Sequence, residues 1–416
     1  MNDVEEHHPS KEIYGEVNSY LRGLHIVLGV TASVAIYRSL DLARWFVRRS
    51  ARVSTVATPE ASKLVSPELF RWATGGPVYS EFTGDTEHIV LARSASSMVV
   101  APATLSTMAK IASGVVDNPV ALTAVSLAGE GKPVTIVPAM HGNMYNSPQA
   151  KAVVSKLESQ GSIVIPPVVE KGVAKYPELH TVGRIAGAVA RRGARDLEGR
   201  RVLITLGATR EWIDRVRFVS NPSSGAMGVE LGLELYARGA TVDVIAGYTS
   251  VSVPHVFNAH RVETTREMAE AMERLTREVR YDAIIASGAP VDFAPRSTWG
   301  GKIKSGRELS LVLEPTPKVL ERIVKKPRVL VAFAAEYVGS LDDLKEPALE
   351  KLEKYGADLV VANRVGLPGV GFSSPELDAI IVDRGGRELF RGREHKEVVA
   401  AVIVDIVSDA IKNSSL

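Results

Sequence analysis

The stretch LHIVLGV, Leu24 to Val30, decides the fold of the first half of this 416-residue chain. It is a continuous apolar run, and the stretch that follows it, Ala32 to Ser50, carries apolar residues at helical spacing. A strand that is apolar along its whole length is typical of a parallel sheet covered by helices on both faces. The sequence therefore begins its first domain with a strand, a turn and a helix.

The same alternation continues to the end of the chain. In the first half, further apolar runs are VSTVA from Val53, SMVVAP from Ser97 and PVTIVP from Pro133. In the second half they are RVLITLG from Arg201, TVDVIAG from Thr241, YDAIIAS from Tyr281, RVLVAFAAE from Arg328 and DLVVANR from Asp358. Helix-length segments separate these runs, so the prediction is an α/β fold with two doubly wound, Rossmann-like sheets. In such sheets ligands bind beyond the carboxyl ends of the strands.

The length of the chain also predicts two domains, because one hydrophobic core rarely grows beyond 250 to 300 residues. We expect an N-terminal extension over 1–22, a first domain over 23–185, a linker over 186–198 and a second domain over 199–416. The predicted linker is rich in arginine and glycine, as solvated connections often are.

Composition excludes several classes of function. The 50 basic residues nearly cancel the 48 acidic ones, and no basic stripe is present, so we expect no nucleic-acid partner. The chain has no cysteine, which excludes disulfides, thiolate metal sites and thiol nucleophiles. Its amino end is polar, and no apolar run reaches the roughly 18 residues of a membrane span, so we expect no membrane partner and a cytoplasmic location.

The turn after the first strand, GVTASVA, has the small residues of a phosphate-binding loop. Gly29, Thr31 and Ser33 would let backbone N–H groups and a hydroxyl approach a monophosphate at a helix start. The stretch lacks the G-x-G-x-x-G pattern of dinucleotide-binding proteins. Tight strand-to-helix turns also use such residues for steric reasons alone, so both interpretations stay open.

Two longer stretches sharpen this interpretation: TEHIVLARSASSMVVAPATLSTMAKIASGVVDN and IVPAMHGNMYNSP. They resemble the flavin-dependent cysteine decarboxylases, over roughly Leu24 to Pro167. The resemblance implies an FMN cofactor and makes His88 the catalytic base that removes the thiol proton of the substrate. It further implies the following contacts: Gly29, Ser33, Thr58, Pro102, Ala103 and Thr104 to FMN, and Met140 and Met144 to the substrate carboxylate.

In this family the flavin oxidises a terminal cysteine thiolate to a thioaldehyde, carbon dioxide leaves, and the hydride returns. Without the surrounding motif, His88 would be interpreted as a partly buried histidine in a local hydrogen bond.

The chain departs from that family at two places. His141 stands where the family has asparagine, and the lid cysteine that acts as acid in bacterial members has no counterpart here. The lid region, 170–180, offers other proton donors: Lys171, Lys175, Tyr176 and His180. We hypothesise that protonated His141 pairs with the substrate carboxylate and that a lid lysine, a lid tyrosine or His141 supplies the proton. The alternative is that decarboxylation has been lost and FMN is structural.

In the second half, GATREWIDRVRFVSNPSSGAMG lies between a predicted strand and a predicted helix. Ser223, Ser224 and Gly225 would present hydroxyls and free N–H groups at the helix N-terminus, which predicts a phosphate site. These residues would also serve as an ordinary helix cap. A cap does not account for the polar residues that precede it, which favour a phosphorylated substrate: Arg210, Arg215, Arg217 and Asn221.

This stretch, together with ASGAPVDFAP, GGKIKSG, FAAE and ANRVG, resembles the phosphopantothenate–cysteine ligases from about Gly199 to Arg391. The resemblance implies that the carboxylate of 4′-phosphopantothenate attacks the α-phosphorus of a nucleoside triphosphate, normally CTP, and that L-cysteine then displaces the nucleotide. Asn221 would hold the acyl group. Lys302 would stabilise the α-phosphate, with Lys304 as a second positive charge beside it. Asp292 would lie near the nucleotide or its magnesium ion.

Other substrate or nucleotide contacts implied by the resemblance are Arg217, Ser223, Ser224, Gly225, Phe333 and Asn363. Two of the implied residues have plain structural interpretations as well. A lysine between glycines, such as Lys302, is usually a solvated loop residue, and Phe333 would equally suit core packing.

The order of the two halves matches that of the bifunctional enzymes of coenzyme A biosynthesis, in which the second domain makes the substrate of the first. One alternative is a ligase with an inactive flavin-binding remnant, and another is a non-catalytic scaffold. The resemblance also implies a homo-oligomer, with trimers or dodecamers built through the flavin domain and dimers through the ligase domain.

Overall fold

The computed structural model divides the chain into two compact units, Met1–Arg195 and Asp196–Leu416. The residues that it describes are 8–170, 173–306, 308–366 and 369–413. The division between the units falls inside the 186–198 segment. Each unit is built around its own mostly parallel sheet, which confirms the predicted α/β fold class.

The first unit contains a six-stranded sheet in which all neighbouring strands are parallel. Its strands are β1 (His25–Val30), β2 (Arg52–Ala57), β3 (Val78–Tyr79), β4 (Ser97–Ala103), β5 (Val134–Pro138) and β6 (Ile163–Val164). Their order across the sheet is β3-β2-β1-β4-β5-β6. All six residues of β1 are buried, as its continuous apolar sequence predicts.

Helices connect these strands. They are α1 (Pro9–Glu12), α2 (Tyr37–Val47), α3 (Pro59–Leu64), α4 (Pro67–Thr74), α5 (Glu87–Ser94), α6 (Leu105–Ser113), α7 (Pro119–Gly129), α8 (Gly142–Tyr145), α9 (Pro148–Ser159) and α10 (Leu179–Arg192). A 3₁₀ turn, Val34–Ile36, precedes α2, and a small hairpin of β7 (Val168–Glu170) and β8 (Val173–Lys175) precedes α10. Proline is the first residue of α3, α4, α7 and α9, where its missing N–H breaks no intrahelical bond.

Part of the predicted N-terminal extension packs on the first unit. Leu21 is fully buried and Tyr20 nearly so. The guanidinium of Arg184, on α10, lies 4.4 Å from the centre of the Tyr20 ring. Residues 1–7 of the extension lie outside the described part of the chain.

The second unit contains an eight-stranded sheet with the order β13-β12-β9-β14-β17-β18-β19-β20. These strands are β9 (Arg201–Leu206), β12 (Thr241–Ala246), β13 (Asn258–Arg261), β14 (Ala283–Ala286), β17 (Val329–Glu336), β18 (Leu359–Arg364), β19 (Glu376–Asp383) and β20 (Glu388–His395). The six strands from β13 to β18 are parallel and repeat the strand order of the first unit. The last two strands are antiparallel.

Four helices cover this sheet: α11 (Ala226–Ala237), α12 (Thr265–Glu278), α13 (Lys345–Tyr355) and α14 (Lys396–Asn413). Two short hairpins stand beside it, one made by β10 (Arg210–Trp212) and β11 (Phe218–Ser220), the other by β15 (Phe293–Pro295) and β16 (Leu313–Pro315). The two 3₁₀ turns are Val319–Arg322 and Asp342–Leu344.

The sequence analysis did not predict β19 and β20. Every residue of β20 is at least partly exposed, and charged residues occupy four of its eight positions. A half-exposed antiparallel strand lacks the continuous apolar run that marked the buried parallel strands. Its charges also suit an edge of the sheet, where they discourage pairing with another chain.

Within the described residues, no helix is both long and apolar enough to cross a membrane.

The central position of β1 gives a direct test of the first core. Leu28 is fully buried between β2 and β4, so Leu28→Ala would lower the free energy of unfolding by about 2 to 5 kcal/mol. Leu64 is 57% exposed, and Leu64→Ala would change it by less than about 0.5 kcal/mol. Denaturant unfolding followed by circular dichroism measures both, and equal effects would contradict the assignment of β1 to the core.

Candidate active sites

The carboxyl ends of the parallel strands bring most of the predicted flavin residues to one edge of the first sheet. Ser33 follows β1, Thr58 follows β2, Thr104 follows β4 and His141 follows β5. Each of the four accepts a hydrogen bond from a backbone N–H of the turn or helix that it precedes, at 3.2 to 3.4 Å. Helix N-termini therefore converge on this edge, and their N–H groups favour an anion there.

One hydroxyl group fixes the two central strands of this edge. Thr31 Oγ1 donates to the carbonyl of Pro102 at 2.8 Å and accepts from the backbone N–H of Thr104 at 3.0 Å. The loop after β1 is thereby held against the end of β4. This bond explains why a threonine, and not just a small residue, follows β1.

A cavity of about 610 Å³ opens at this edge. Five of the predicted residues line it, namely Ser33, Thr104, Met140, His141 and Met144. The remaining lining residues are Ala32, Leu105, Ser106, Ala109, Ala139, Gln149 and Val153. Apolar walls with hydroxyls at helix starts suit a ligand that has a flat apolar ring system and a phosphate, so the residues present fit an FMN group.

Four predicted flavin residues do not line that cavity: Gly29, Thr58, Pro102 and Ala103. Gly29 lies inside β1, where a Cβ atom would approach Met98 Cε to 2.6 Å. Close packing against β4 therefore accounts for this glycine without a ligand. Pro102 and Ala103 form the end of β4, where the Pro102 carbonyl accepts from Thr31 and the Ala103 carbonyl accepts from the backbone N–H of Ala139.

His88 lies in a different place from His141. It is half-buried on α5 and lines a separate, very small cavity together with Tyr79, Glu87 and Thr123. The larger cavity contains His141 and not His88. In a single copy of the described chain, the two histidines of the predicted decarboxylase site thus line different cavities.

The predicted lid is the hairpin of β7 and β8, and β8 packs against α8, the helix that His141 caps. Lys175 pairs with Glu170 at 2.6 Å on the exposed side of the hairpin. The Tyr176 hydroxyl is buried without a hydrogen-bond partner, and burial raises the pKa of this phenol. His180 makes an edge-on contact with Trp45. Lys171 lies outside the described residues.

The second unit has a cavity of about 390 Å³ at the carboxyl ends of β9, β14 and β17. The predicted residues that line it are Asn221, Ser223, Gly225, Asp292, Phe333 and Asn363. Six residues from four separated stretches of sequence therefore meet where the ligase resemblance implies a substrate site.

Gly225 starts α11 in the left-handed conformation, with φ +81°. A Cβ atom there would lie 2.6 Å from Thr249 Cγ2, so both the backbone angle and the close approach require glycine. The residues at the start of α11, Gly225 to Gly228, line the cavity, and the N–H of Ala226 donates to Ser224 Oγ at 3.3 Å. The start of α11 therefore lies at the cavity, at the place where the sequence predicts a phosphate site.

Ser224, next to the start of α11, is tied to a distant loop. Its hydroxyl donates to the carbonyl of Phe372 at 3.1 Å, and the hydroxyl of Ser373 donates to the carbonyl of Pro222 at 3.1 Å. Lys396 Nζ donates to the same Phe372 carbonyl at 3.0 Å. The loop around Phe372 thus forms a fixed wall of the cavity.

The predicted acyl-binding and metal-binding side chains already have protein partners. Asn221 donates its amide hydrogens to the carbonyls of Ala289 and Pro290 at 3.2 and 3.1 Å. Asp292 accepts from Lys318 Nζ at 2.6 Å, and this bond raises the pKa of Lys318. A cation or a triphosphate at Asp292 would have to share or displace that ammonium group.

Three lysines that line the cavity were not found by sequence reasoning: Lys318, described above, and the helical residues Lys351 and Lys396. Lys351 donates to the carbonyl of Phe333 at 3.0 Å, and burial lowers its pKa. Lys396 is 4% exposed, and burial lowers its pKa to about 8 against the opposing effect of Glu230. Lys351 and Lys396 lie on helices whose other residues follow the usual amphipathic pattern. The only signal in the sequence was a basic residue on the side of the helix that faces the core.

Four predicted residues are not among those lining the cavity: Arg217, Ser224, Lys302 and Lys304. The two lysines are exposed on the loop between β15 and β16. Arg217 Nη1 and Nη2 donate to the carbonyl of Ile303, which lies between those lysines, at 3.2 and 3.3 Å. Arg217 therefore contacts the lysine loop in this structure.

Comparisons with known proteins agree with this two-part architecture. A family model described as Flavoprotein matches residues 15–189. A second model, described as DNA/pantothenate metabolism flavoprotein C-terminal domain, matches residues 197–411.

The chain is 40% identical over 384 residues to the coenzyme A biosynthesis bifunctional protein CoaBC of Thermococcus kodakarensis, covering 91% of this chain and 93% of the relative. The chain belongs to this family of bifunctional proteins. The CoaBC of Methanocaldococcus jannaschii is 35% identical over 411 residues, with 98% of each chain covered. A crystal structure of the C-terminal domain of a CoaBC is similar at 27% identity and a TM-score of 0.44, covering 53% of this chain and all of that one.

Membership in the CoaBC family confirms the resemblance on which the sequence analysis relied. The match covers both units, so the decarboxylase-like and ligase-like halves are related to the family as one fused chain.

Lys396 gives a test of the cavity as the structure describes it. Between about pH 8 and 10.5 the folded chain binds fewer protons at Lys396 than the unfolded chain does, because burial lowers the folded-state pKa. The free energy of unfolding therefore rises with pH in this window, by up to about 1.4 kcal/mol per pH unit. Below pH 8 the full cost of charging the buried amine is present.

Lys396→Met would remove this contribution, so its unfolding free energy would rise less between pH 8 and 10 than that of the unaltered chain. Lys345→Met, which changes an exposed lysine of the same unit, serves as the control and would leave the pH profile unaltered. Parallel profiles for the unaltered and Lys396→Met chains would show that Lys396 is not buried as described.

Proposed function

We propose that this protein catalyses two consecutive steps of coenzyme A biosynthesis. The second unit joins L-cysteine to 4′-phosphopantothenate at the expense of a nucleoside triphosphate, and the first unit decarboxylates the product to 4′-phosphopantetheine. Family membership over nearly the whole chain supports this proposal. The observation that carries it is the cavity of the second unit, where six residues predicted from ligase motifs meet around an open helix N-terminus.

In the ligase step, the cavity binds and orients two acidic substrates. The N–H groups at the start of α11 hold phosphate oxygens, and the Asn221 amide, fixed on the Ala289 and Pro290 carbonyls, orients the acyl group. Lys302 approaches from the loop between β15 and β16 and stabilises the charge that builds on the α-phosphate. The acyl-nucleotidylate forms with release of pyrophosphate, and the cysteine amine then displaces the nucleotide to form the amide.

We propose CTP as the nucleotide and Mg²⁺ as its counter-ion, on the basis of the ligase resemblance. Asp292 is the carboxylate at the cavity that would approach the metal, and Lys318 would then turn from Asp292 towards the phosphates.

In the decarboxylation step, the first unit holds the substrate next to FMN in the 610 Å³ cavity. Bound FMN supplies the acceptor and donor of the hydride. His88 removes the thiol proton, and His141, at the start of α8, pairs with the substrate carboxylate until carbon dioxide leaves. The β7–β8 hairpin excludes water and carries Tyr176, whose buried hydroxyl remains protonated and available as the proton donor.

A coupled assay tests both steps. Purified protein with 4′-phosphopantothenate, cysteine, CTP and Mg²⁺ would release pyrophosphate and carbon dioxide in equal amounts, and the protein would show a flavin absorption spectrum. Asn221→Ala would abolish pyrophosphate release but leave carbon dioxide release from added phosphopantothenoylcysteine unaltered. Pyrophosphate without carbon dioxide would establish a ligase with an inactive flavin domain. The absence of both products would refute the proposal.

We further propose that the first units assemble, because His88 and His141 line different cavities in one copy. A neighbouring copy would bring its His88 to the cavity that contains His141. Exposed apolar side chains near these residues suit such a contact: Val34, Tyr37, Ile89, Val90 and Met144.

Mixed assemblies test this proposal. His88→Ala and His141→Ala chains would each lack decarboxylase activity, and co-expression of the two would restore roughly a quarter of it, because one site in four would combine two intact residues. The His88→Ala chain co-expressed with a differently tagged copy of itself is the control and would stay inactive. No recovery in the mixed assembly would place both histidines of a working site on one chain.

A further inference from the structure

A buried carboxylate joins two parts of the second unit that lie far apart in sequence. Asp214, in the turn between β10 and β11, has a fully buried side chain. Its Oδ1 accepts from the backbone N–H groups of Val216 and Arg217, both at 2.7 Å. Its Oδ2 accepts from the backbone N–H of Ile303 at 3.0 Å and from Arg217 Nη1 at 2.5 Å. The two oxygens of Asp214 thus accept four N–H hydrogen bonds, and these bonds are strongest when the carboxyl group is ionised.

The ionised form of Asp214 is strongly favoured. Burial alone would raise its pKa, but the N–H groups of Ile303, Val216 and Arg217 outweigh that effect and lower the pKa to about 2. At neutral pH the turn therefore holds a full negative charge that its backbone and Arg217 compensate.

The same turn holds the lysine loop at further points. Arg215 Nε donates to the carbonyl of Gly300 at 2.9 Å, and the backbone N–H of Trp299 donates to the carbonyl of Ile213 at 3.0 Å. Lys302 lies between these contacts and Ile303. Residues 299–304 of this loop lie in neither a helix nor a strand. Because Gly300 and Gly301 have great backbone freedom, holding them in one conformation costs conformational entropy, which the contacts from the turn offset.

The β10–β11 hairpin connects this support to the cavity. Its strands pair from Arg210 and Ser220 to Trp212 and Phe218, and Asn221 follows directly after β11. The end of the hairpin near the cavity therefore carries Asn221, and its turn carries Asp214. A three-residue strand spans only about 10 Å, so the hairpin sets a short, fixed spacing between the acyl-binding residue and the lysine loop.

We propose that Asp214 is a positioning residue of the ligase reaction, which acts through Lys302 by fixing the backbone on which that lysine stands. This inference rests on the proposed function, in which Lys302 stabilises the α-phosphate. Asp214 is not among the residues that line the cavity, and Arg217 makes a second contact from the same turn to Ile303.

The test is a double-mutant cycle in the full chain. Asp214→Asn keeps the size of the side chain but replaces an acceptor by an NH₂ group, which cannot accept from Ile303 or Arg217. We expect pyrophosphate release to lose about 100-fold in kcat, with the KM for CTP changed less than about 3-fold. In a Lys302→Ala background, Asp214→Asn would lower kcat by no more than about 2-fold, because the group that it positions is gone.

Asp282→Asn is the matched control. Asp282 also accepts from a backbone N–H, that of Arg201 at 3.0 Å, and from an arginine side chain, but it lies at the amino end of β14. Asp282→Asn would lower the free energy of unfolding and leave the ligase kcat unchanged. If Asp214→Asn does not fold, Arg217→Gln replaces it, and its loss of kcat would likewise vanish in the Lys302→Ala background.

Hydrogen–deuterium exchange separates this inference from the proposed function. Exchange at 299–304 would be faster in Asp214→Asn than in the unaltered chain, and Asp282→Asn would leave it unchanged. Unaltered exchange at 299–304, or an equal loss of kcat with and without Lys302, would overturn the positioning role. Absence of pyrophosphate with the unaltered chain would overturn the proposed function and this inference with it, even where exchange responds as expected.

Discussion

Both sites depend on the same constraint, the parallel pairing of the first strand of each sheet with a strand that comes later in the chain. β1 pairs with β4 in the first unit, and β9 pairs with β14 in the second. The chain adds its next strands to one side of the first strand and its later strands to the other side. The loops that follow the two paired strands therefore turn to opposite faces of the sheet, and a crevice opens between them. In the first unit Thr31 links the two strand ends across it. In the second, the N–H of Gly288 bonds to Thr205 Oγ1 at 3.1 Å.

The sequence could predict what local chemistry determines. Buried parallel strands need continuous apolar runs, and the turns at their carboxyl ends need small and polar residues. The sequence therefore predicts β1, β9 and the start of a helix after Gly225, as the structure has them. β20 could not be predicted, because its partly exposed residues form no continuous apolar run. Lys396 could not be predicted either, because the carbonyls that it binds belong to a loop 24 and 25 residues away. Asp214 depends on Ile303, 89 residues away, and no local pattern reports such a contact.

Two buried charged groups of the second unit are bound mainly by the backbone, whereas the buried Arg238 pairs with the carboxylates of Asp196 and Asp405. Asp214 is compensated largely by backbone N–H groups, and Lys396 donates to backbone carbonyls. A charge that is bound to the backbone holds a loop in one conformation, whereas a surface ion pair between two mobile side chains fixes little. The pairing of Asp292 with Lys318 is of the second kind, since both side chains remain partly exposed. The loops around the cavity are therefore held firmly, while the charged pair at its mouth can change partners when an anion arrives.

The position of Lys396 as the first residue of α14 gives the last helix a second role. Besides covering the sheet, this helix supplies the amine that, together with Ser224, holds the Phe372 carbonyl at the wall of the cavity. This wall of the cavity is thus held by Ser224, near the beginning of the second unit, and by Lys396, near its end. A chain that ends between Phe372 and Lys396 would contain every ligase motif named above and still lack the amine that holds the Phe372 carbonyl. This unit can therefore complete its candidate site only after nearly all of it has been synthesised.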